Sequence, residues 1–206
     1  MFKNLFTLLL LGVAISAIAQ PKNEDLTKID PRLNNGFTMS EMKLTGLEFK
    51  GTVPPMTDRT SDIKMFIGLS KLKALQVDID RSKFLFKIIP YFSFSSWLGD
   101  TVKKNPGLMA RSLRHEQVHY DIHLLMSIEL KKQLSQTWFD SKNYGPAILD
   151  IRDKLSQTEA KIRQLYQIET NDGQDLGPQQ KWNDIVSKAL ETKDWSMLAN
   201  YIKGKI

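Results

Sequence analysis

The residues of this sequence best suited to chemistry lie in one stretch, residues 113–123, which reads LRHEQVHYDIH and holds all three histidines of the chain. His115 and His119 are four residues apart, and Glu116 directly follows the first of them. On a helix, residues four apart share one face with Cβ atoms about 5 to 6 Å apart, so two imidazoles can bind one Zn²⁺ ion. The spacing predicts a metal site with His115 and His119 as ligands.

Glu116 is the residue that would give this site its chemistry. It lies about 100° around the helix from His115, outside the ligand row but able to bond a water on the metal. A carboxylate there can accept a proton from the water that attacks a carbonyl and pass it to the leaving amine. HEQVH therefore matches HExxH, in which the glutamate is the general base. The competing interpretation is an ordinary helix with a chance pairing, which the small number of histidines disfavours.

The other polar residues of the stretch have weaker roles. On an unbroken helix, His123 lies about 12 Å along the axis from His115, so we expect it to be an ordinary polar or half-buried histidine. Asp121 faces another side, where we expect it to accept a hydrogen bond near the site or to pair with Arg114 or a lysine. A catalytic zinc generally takes three protein ligands and a water, so one further ligand must come from elsewhere.

Helices are predicted for the second half of the chain. Asn105 can cap a long helix with Pro106 at its first position, and the pattern then continues to about Trp138. After a turn at 143–146, a second helix should pack antiparallel on the first and end at the Asn-Asp-Gly sequence of residues 171–173. Two shorter helices are predicted near 179–191 and 195–203. The buried stripe of the second helix is predicted to contain Ile148, Ile151, Leu155, Ile162 and Leu165.

The first half of the chain has the period of two that is typical of strands. One strand is predicted from Met42 to Gly51, and further strands at residues 63–67, 75–79 and 84–88, with breaks at 68–71 and 80–82. The predicted fold class is α+β: a small, mostly antiparallel sheet in the N-terminal half, with the long HExxH helix and further helices in the C-terminal half.

The first nineteen residues, MFKNLFTLLLLGVAISAIA, have the layout of a secretory signal peptide that ends in a small-x-small cleavage site. Their apolar run is shorter than the roughly 20 residues of a membrane span, so we expect no stable membrane anchor. Residues 20–36 are polar and predict a flexible leader, and residues 37–206 predict a single domain. We expect a secreted or periplasmic protein after cleavage of residues 1–19.

The composition excludes several classes of protein. The chain has no cysteine, which removes both a disulfide framework and a lipid-attachment site. The net charge of +6 is spread among acidic residues and indicates a solvated surface, so no nucleic-acid partner is expected. The sequence carries no signal for an oligomeric state.

Residues 113–122, LRHEQVHYDI, resemble the signature LRHEQxHFDI of a bacterial family of predicted secreted zinc-dependent proteases, a domain of unknown function; Tyr120 stands in place of phenylalanine. The resemblance implies zinc and hydrolysis more firmly than any substrate. The sequence departs from the family at Gly46, Gln167 and Asp172, where the family usually has tryptophan, aspartate and histidine. Weaker matches extend from residue 44 to residue 182: Leu44-Thr45, residues 49–51, Ser96-Trp97, Tyr166, Glu169-Thr170, Gln180 and Trp182.

The resemblance makes Asp172 the leading candidate for the third zinc ligand. It stands where the family carries histidine, and an aspartate oxygen binds zinc at nearly the same distance, about 2.0 to 2.2 Å. Gly173 follows it and gives the backbone freedom to direct a short side chain. Two alternatives stay open: Asp172 is an ordinary turn residue, or Glu169 is the ligand or the acceptor of a ligand histidine's proton.

These features predict a secreted zinc-dependent metallohydrolase that cleaves a peptide or protein substrate. Glu116 would be the general base, and His115, His119 and Asp172 would hold Zn²⁺. The alternative is a non-enzymatic exported binding or envelope-maintenance protein with a structural or vestigial metal site. The enzyme is favoured because a structural site does not need Glu116 beside its ligands and more often uses cysteines.

Overall fold

The computed structural model describes residues 35–55, 57 and 59–205. The predicted signal peptide and the predicted leader up to residue 34 lie outside these residues. The described part of the chain contains short and long strands followed mainly by helices, which confirms the predicted α+β class. The elements are β1 (Gly36–Thr38), β2 (Ser61–Asp62), β3 (Met65–Val77), β4 (Arg81–Ser93), β5 (Trp97–Leu98), α1 (Asp100–Lys104), α2 (Pro106–Gln136), β6 (Phe139–Asp140), α3 (Tyr144–Thr170), α4 (Leu176–Thr192) and α5 (Trp195–Lys203).

Two long antiparallel strands, β3 and β4, form the centre of the sheet. The Asp78 N–H donates to the Arg81 carbonyl at 2.7 Å and closes the turn between them. β1 and β6 pair antiparallel with β4, and the order β1-β4-β3 leaves β3 at an edge. A separate antiparallel ladder joins β2 to β5. The described pairings are all antiparallel, as the sequence predicted.

The number and bounds of the strands differ from the prediction. Residues 63–67 and 75–79 overlap one strand, β3, because the predicted break at 68–71 stays paired with β4. The predicted strand from Met42 to Gly51 is wrong, since the described residues there form no strand. Gly46 has a left-handed backbone with φ 96°, and the carboxylate of Glu48 accepts hydrogen bonds from the N–H groups of Thr45 and Gly46. A local turn therefore interrupts this segment.

Helix α2 carries the HExxH residues and lies at the centre of the molecule. Its start is the predicted one: the Asn105 side chain accepts hydrogen bonds from the N–H groups of Gly107 and Leu108, with Pro106 at the first position. The helix is 31 residues long, and its buried residues include His115, Glu116, His119 and His123. It packs on the sheet through β4 and on the helices α3 and α4.

Helix α3 runs antiparallel to α2, as predicted. Side-chain contacts join His115 to Tyr166, His119 to Arg163 and His123 to Glu159, so residue numbers rise along one helix as they fall along the other. The register of this pair decides which α3 side chains face the histidines.

Two buried apolar clusters hold α2 in place. The larger one joins Phe86 of β4 to Ile122 of α2 and to Trp182 of α4. The smaller one joins Phe92 of β4 to Tyr120 of α2 and residues of the N-terminal segment. Fully burying an apolar side chain contributes about 1.5 to 3 kcal/mol, so packing on both sides fixes the rotation of α2 about its axis. No helix in the described ranges is long and apolar enough to cross a membrane.

Candidate functional site

His115 and His119 lie side by side on one face of α2, with ring centroids 4.8 Å apart and ring planes at 88°. Both are buried, with exposed fractions of 6% and 2%. Tyr166 of α3 contacts both rings: it stacks on His115 at 4.8 Å and meets His119 edge-on at 4.9 Å. The Tyr166 hydroxyl is shared between Gln179 Oε1 at 2.8 Å and the His115 carbonyl at 3.1 Å. Tyr166 thus restricts the orientation of both imidazoles.

A left-handed loop follows α3 beside these rings. Asn171, Asp172 and Gly173 have φ values of 48°, 50° and 78°. Asparagine and aspartate are among the few residues that adopt this conformation at modest cost. The loop is closed by hydrogen bonds from the Asp172 N–H to the Gln167 carbonyl and from the Gly173 N–H to Thr170 Oγ1, at 3.0 and 3.1 Å. The predicted break at 171–173 is confirmed, and it directs the chain back toward α2.

One cavity of about 180 Å³ is lined by His115, Glu116, His119 and Asp172. The structure therefore brings the predicted catalytic residue and the predicted ligands, which lie as far as 57 positions apart in the sequence, to the same cavity. Its remaining wall is formed by residues 59–63, Arg111, Ser112, Arg163, Gln167 and Gln174.

The donor groups of the cavity meet some but not all of the requirements of a metal site. Within the described residues, no group of three or more His, Asp or Glu side chains is arranged to hold one, so Asp172 shares the cavity without completing a ligand set. The chemistry of the groups nevertheless suits a cation. His115 Nδ1 and Glu116 Oε2 are buried atoms without a hydrogen-bond partner, a costly arrangement that is common at functional sites.

The two histidines are held in the neutral form, which is the form that binds metals. Burial lowers the pKa of His115 to about 4, although the nearby charge of Asp172 opposes this shift. Burial, together with the charge of Arg163, lowers the pKa of His119 well below its ordinary value. Both imidazoles are therefore uncharged at neutral pH, with one ring lone pair each.

Glu116 has one oxygen fixed and one oxygen without a partner. Ser61 of β2 donates its hydroxyl hydrogen to Glu116 Oε1 at 2.5 Å, while Oε2 has no partner. Burial raises the pKa of Glu116 to about 7, and the Ser61 hydrogen bond opposes the rise. A carboxyl group that titrates near neutral pH suits a general base. No local pattern points to Ser61, because only the packing of β2 against α2 brings it here.

Arg163 of α3 makes a contact with His119 that the sequence analysis missed. Its Nε–H donates to His119 Nδ1 at 3.2 Å, and its Nη1 lies 3.8 Å from Glu159 Oε1. A neutral imidazole that accepts at Nδ1 carries its proton on Nε2. A metal at Nδ1 would need the lone pair that Arg163 uses, and a metal at Nε2 would require the proton to move to Nδ1. Metal binding by His119 therefore requires this hydrogen bond to break.

Glu169, the alternative third ligand, lies away from the cavity. Its carboxylate accepts hydrogen bonds from Trp182 Nε1 at 2.8 Å, Tyr201 Oη at 3.1 Å and Lys205 Nζ. Burial raises its pKa, but these hydrogen bonds outweigh the effect and leave the pKa below its ordinary value. Through Trp182 and Tyr201, Glu169 links α3 to α4 and α5.

His123 and Asp121 also have partners outside the cavity. His123 is buried, and its Nδ1 lies 2.8 Å from Glu159 Oε1, so it takes no place in the histidine pair, as expected. Asp121 accepts a hydrogen bond from Gln117 Nε2 at 2.9 Å. Its partner Gln117 is neither a predicted metal ligand nor a cation, so neither role expected for Asp121, an acceptor at the metal site or a partner of Arg114 or a lysine, is the one observed.

Gln117 and Tyr120, two α2 residues next to the motif positions, anchor residues 40–44 on α2. Gln117 Oε1 accepts from the Leu44 N–H at 2.8 Å, and Gln117 Nε2 donates to the Met42 carbonyl at 3.0 Å. The Tyr120 hydroxyl bonds both backbone groups of Ser40, at 3.0 and 3.1 Å. The backbone of this segment is therefore hydrogen-bonded by side chains of α2 and not by a neighbouring strand.

Comparisons of the chain with family models, with curated proteins and with solved structures find no match. The function therefore has to be argued from the residues and geometry of the cavity.

Proposed function

We propose that the protein is a secreted zinc-dependent metallohydrolase that cleaves peptide or protein substrates. The observation that supports this most directly is that two buried, neutral imidazoles on adjacent turns of α2 share a cavity with Glu116, whose Oε2 has no partner. In this proposal His115 and His119 hold the metal, and Asp172 is the third ligand.

Bound Zn²⁺ would polarise the substrate carbonyl and lower the pKa of a water. The chain's own residues supply the proton transfer. Glu116 Oε2 accepts a proton from the attacking water and returns it to the leaving amine, while the Ser61 hydroxyl holds Oε1 and so fixes the direction of the carboxyl group. Tyr166 keeps the two imidazole rings in place through its contacts with both.

The proposal is tested with purified protein that starts at residue 20. Zinc content is measured by mass spectrometry after dialysis, and turnover is measured on an unstructured protein such as casein. We expect one zinc per chain, loss of most of it in His115→Ala and His119→Ala, and retention in His123→Gln. Glu116→Gln should keep the zinc and lose turnover by about 10² to 10⁴-fold or more, the size of general-base effects. Full zinc content in both histidine variants, or wild-type turnover in Glu116→Gln, would contradict the proposal.

A second candidate function is a non-enzymatic exported binding protein. The Arg163 hydrogen bond to His119 Nδ1 favours it, since this bond competes with a metal, as does the lack of a three-ligand group within the described residues. This alternative, in which the metal site is structural or vestigial, predicts a protein that cleaves no peptide whether or not it holds zinc. The zinc measurement above separates a metal site from none, and turnover that is lost in Glu116→Gln separates catalysis from a structural site.

A further inference from the structure

Arg111 is a cationic side chain of the cavity to which the mechanism above gives no role. It precedes His115 by one helical turn, so it lies on the same face of α2, and its half-buried side chain lines the same cavity. Neither the resemblance nor the HExxH spacing draws attention to it.

Two of the three acidic groups that line the cavity have other partners. Asp62 accepts a hydrogen bond from Arg59 Nη1 at 3.0 Å, and Glu116 accepts one from Ser61. In the proposed function, Asp172 is a ligand of the metal. Among residues 35–55, 57 and 59–205, no acidic side chain forms an ion pair with Arg111.

The other arginines of the cavity are already engaged. Arg163 donates to His119 Nδ1 and lies 3.8 Å from Glu159 Oε1, and Arg59, the third arginine of the cavity, donates to Asp62. Arg111 differs from both because it pairs with no acidic side chain of the described residues, so its whole fork of N–H donors is free for an incoming group. A guanidinium presents a planar fork of N–H groups that matches a carboxylate in two parallel hydrogen bonds.

We propose that Arg111 binds a carboxylate of the substrate, so that the site selects peptides with a free C-terminus or an acidic residue near the cleaved bond. The position follows from the helix: four residues separate Arg111 from His115, a rise of about 6 Å at 1.5 Å per residue. An extended peptide advances about 3.3 to 3.6 Å per residue. Because the flexible Arg111 side chain adds its own length to this separation, the selected carboxylate lies within a few residues of the bond that is cleaved. This inference rests on the proposed function, because it treats the bound carboxylate as part of a substrate. Binding of the carboxylate itself can be measured without turnover.

The test is a binding measurement on the purified chain from residue 20, with and without one equivalent of Zn²⁺. Three probes are titrated by calorimetry: N-acetyl-tetra-alanine with a free carboxylate, the same peptide as its C-terminal amide, and an amide whose last residue is aspartate. We expect the free acid, the aspartyl amide or both to bind at least about tenfold more tightly than the neutral amide, since hydrogen bonds between ionised groups are markedly stronger than those between neutral groups. The two charged probes distinguish a terminal carboxylate from a side-chain carboxylate.

Three variants decide whether Arg111 is responsible. Arg111→Gln should reduce the preference for charged probes to less than about twofold, and Arg111→Lys, which keeps the charge but loses the fork, should retain part of it. Arg114→Gln is the matched control, because Arg114 lies on the same helix but lines a different groove, with Leu113 and Asp121. Its preference should equal that of the wild type. A thermal melt of each variant shows whether it is folded.

The proposal is overturned if wild-type protein binds the acid and the amide equally, if it binds none of the probes at millimolar concentration, or if folded Arg111→Gln keeps the preference. These outcomes are distinct from failure of the proposed function. A chain that prefers the charged probes but holds no zinc and shows no turnover keeps the Arg111 site and loses the hydrolase.

Discussion

Arg163 donates its Nε–H to His119 Nδ1 at 3.2 Å across the interface between α2 and α3. A metal-binding histidine normally donates its second ring N–H to an oxygen acceptor. Here the partner is itself a donor and a cation. Burial is the largest cause of the lowered pKa of His119, and the charge of Arg163 is the next. The arrangement stabilises a neutral imidazole and at the same time opposes the arrival of a dication.

Removal of the guanidinium should therefore strengthen zinc binding. We expect Arg163→Met, which keeps an unbranched apolar stem, to raise zinc affinity by about tenfold, because the His119 lone pair and the cavity charge are then free of competition. Competition with a fluorescent zinc chelator measures the change. Arg152→Met is the control, since Arg152 lies on the exposed surface of α3 and pairs with Asp153. An unchanged or weaker affinity in Arg163→Met would show that Arg163 does not compete with the metal.

Asp172 provides a second test of the ligand set. Asn and Asp share the tolerance for a left-handed backbone, so Asp172→Asn removes the charge without adding strain at φ 50°. We expect zinc affinity to fall by about 10 to 100-fold in Asp172→Asn, as is typical when a group that supports a metal site is lost, and to recover in Asp172→His. Chelator competition is again the measurement.

Glu169→Gln is the control for this pair. Its carboxylate accepts hydrogen bonds from Trp182 and Tyr201, so the substitution should lower stability while zinc affinity stays at the wild-type value. If Asp172→Asn bound zinc as tightly as the wild type and Glu169→Gln did not, the third ligand would be Glu169.

Some parts of this site follow from sequence and others do not. The direction of His115, Glu116 and His119 is set by helical spacing alone, and the Asn105-Pro106 start of that helix is a local signal. The contacts of Ser61 and Arg163 depend on how β2 and α3 pack against α2, and no local pattern encodes that register.

The sheet likewise follows from the sequence only in part. Alternation predicted strand for residues 65–67, 75–77 and 84–88, which do lie in β3 and β4, but it placed a break at 68–71 that pairing with β4 removes. It also predicted a strand from Met42 to Gly51, where the backbone of Met42 and Leu44 is bonded by the Gln117 side chain instead. A period of two in the apolar residues indicates an extended chain, whereas a β-strand also requires a neighbouring strand to pair with.

The pH dependence of stability reports the burial of Glu116. Its pKa is raised from 4.5 to about 7 in the folded protein. The folded state therefore binds more protons than the unfolded state between these values, and stability falls as pH rises from 4.5 to 7. At about 1.36 kcal/mol per pKa unit, the loss reaches about 3 kcal/mol.

The comparison that isolates this effect is between metal-free wild type and metal-free Glu116→Gln, in which the side chain does not titrate. Burial also lowers the pKa of His115 and His119, but both residues are present in both proteins, so their contribution cancels in the comparison. Urea unfolding at several pH values should show the wild type losing stability relative to Glu116→Gln as pH rises through this window. Parallel curves for the two proteins would mean that Glu116 has an ordinary pKa.

Gly173 lies where the left-handed loop meets His115. A Cβ on this residue would lie 2.9 Å from His115 Cβ and Nδ1, and its φ of 78° disfavours any side chain. Gly173→Ala should therefore destabilise the protein by about 1 to 3 kcal/mol, the usual cost of strained backbone, and should also shift the His115 ring. We expect weaker zinc binding together with a lower melting temperature. Gly177→Ala is the matched control, because it lies in α4 with open space around its Cβ. Alanine is the better helix former by about 1 kcal/mol, so this control should be neutral or stabilising and should leave zinc binding unchanged. If the two alanine variants melted at the same temperature and bound zinc equally well, the loop would not hold His115 in place.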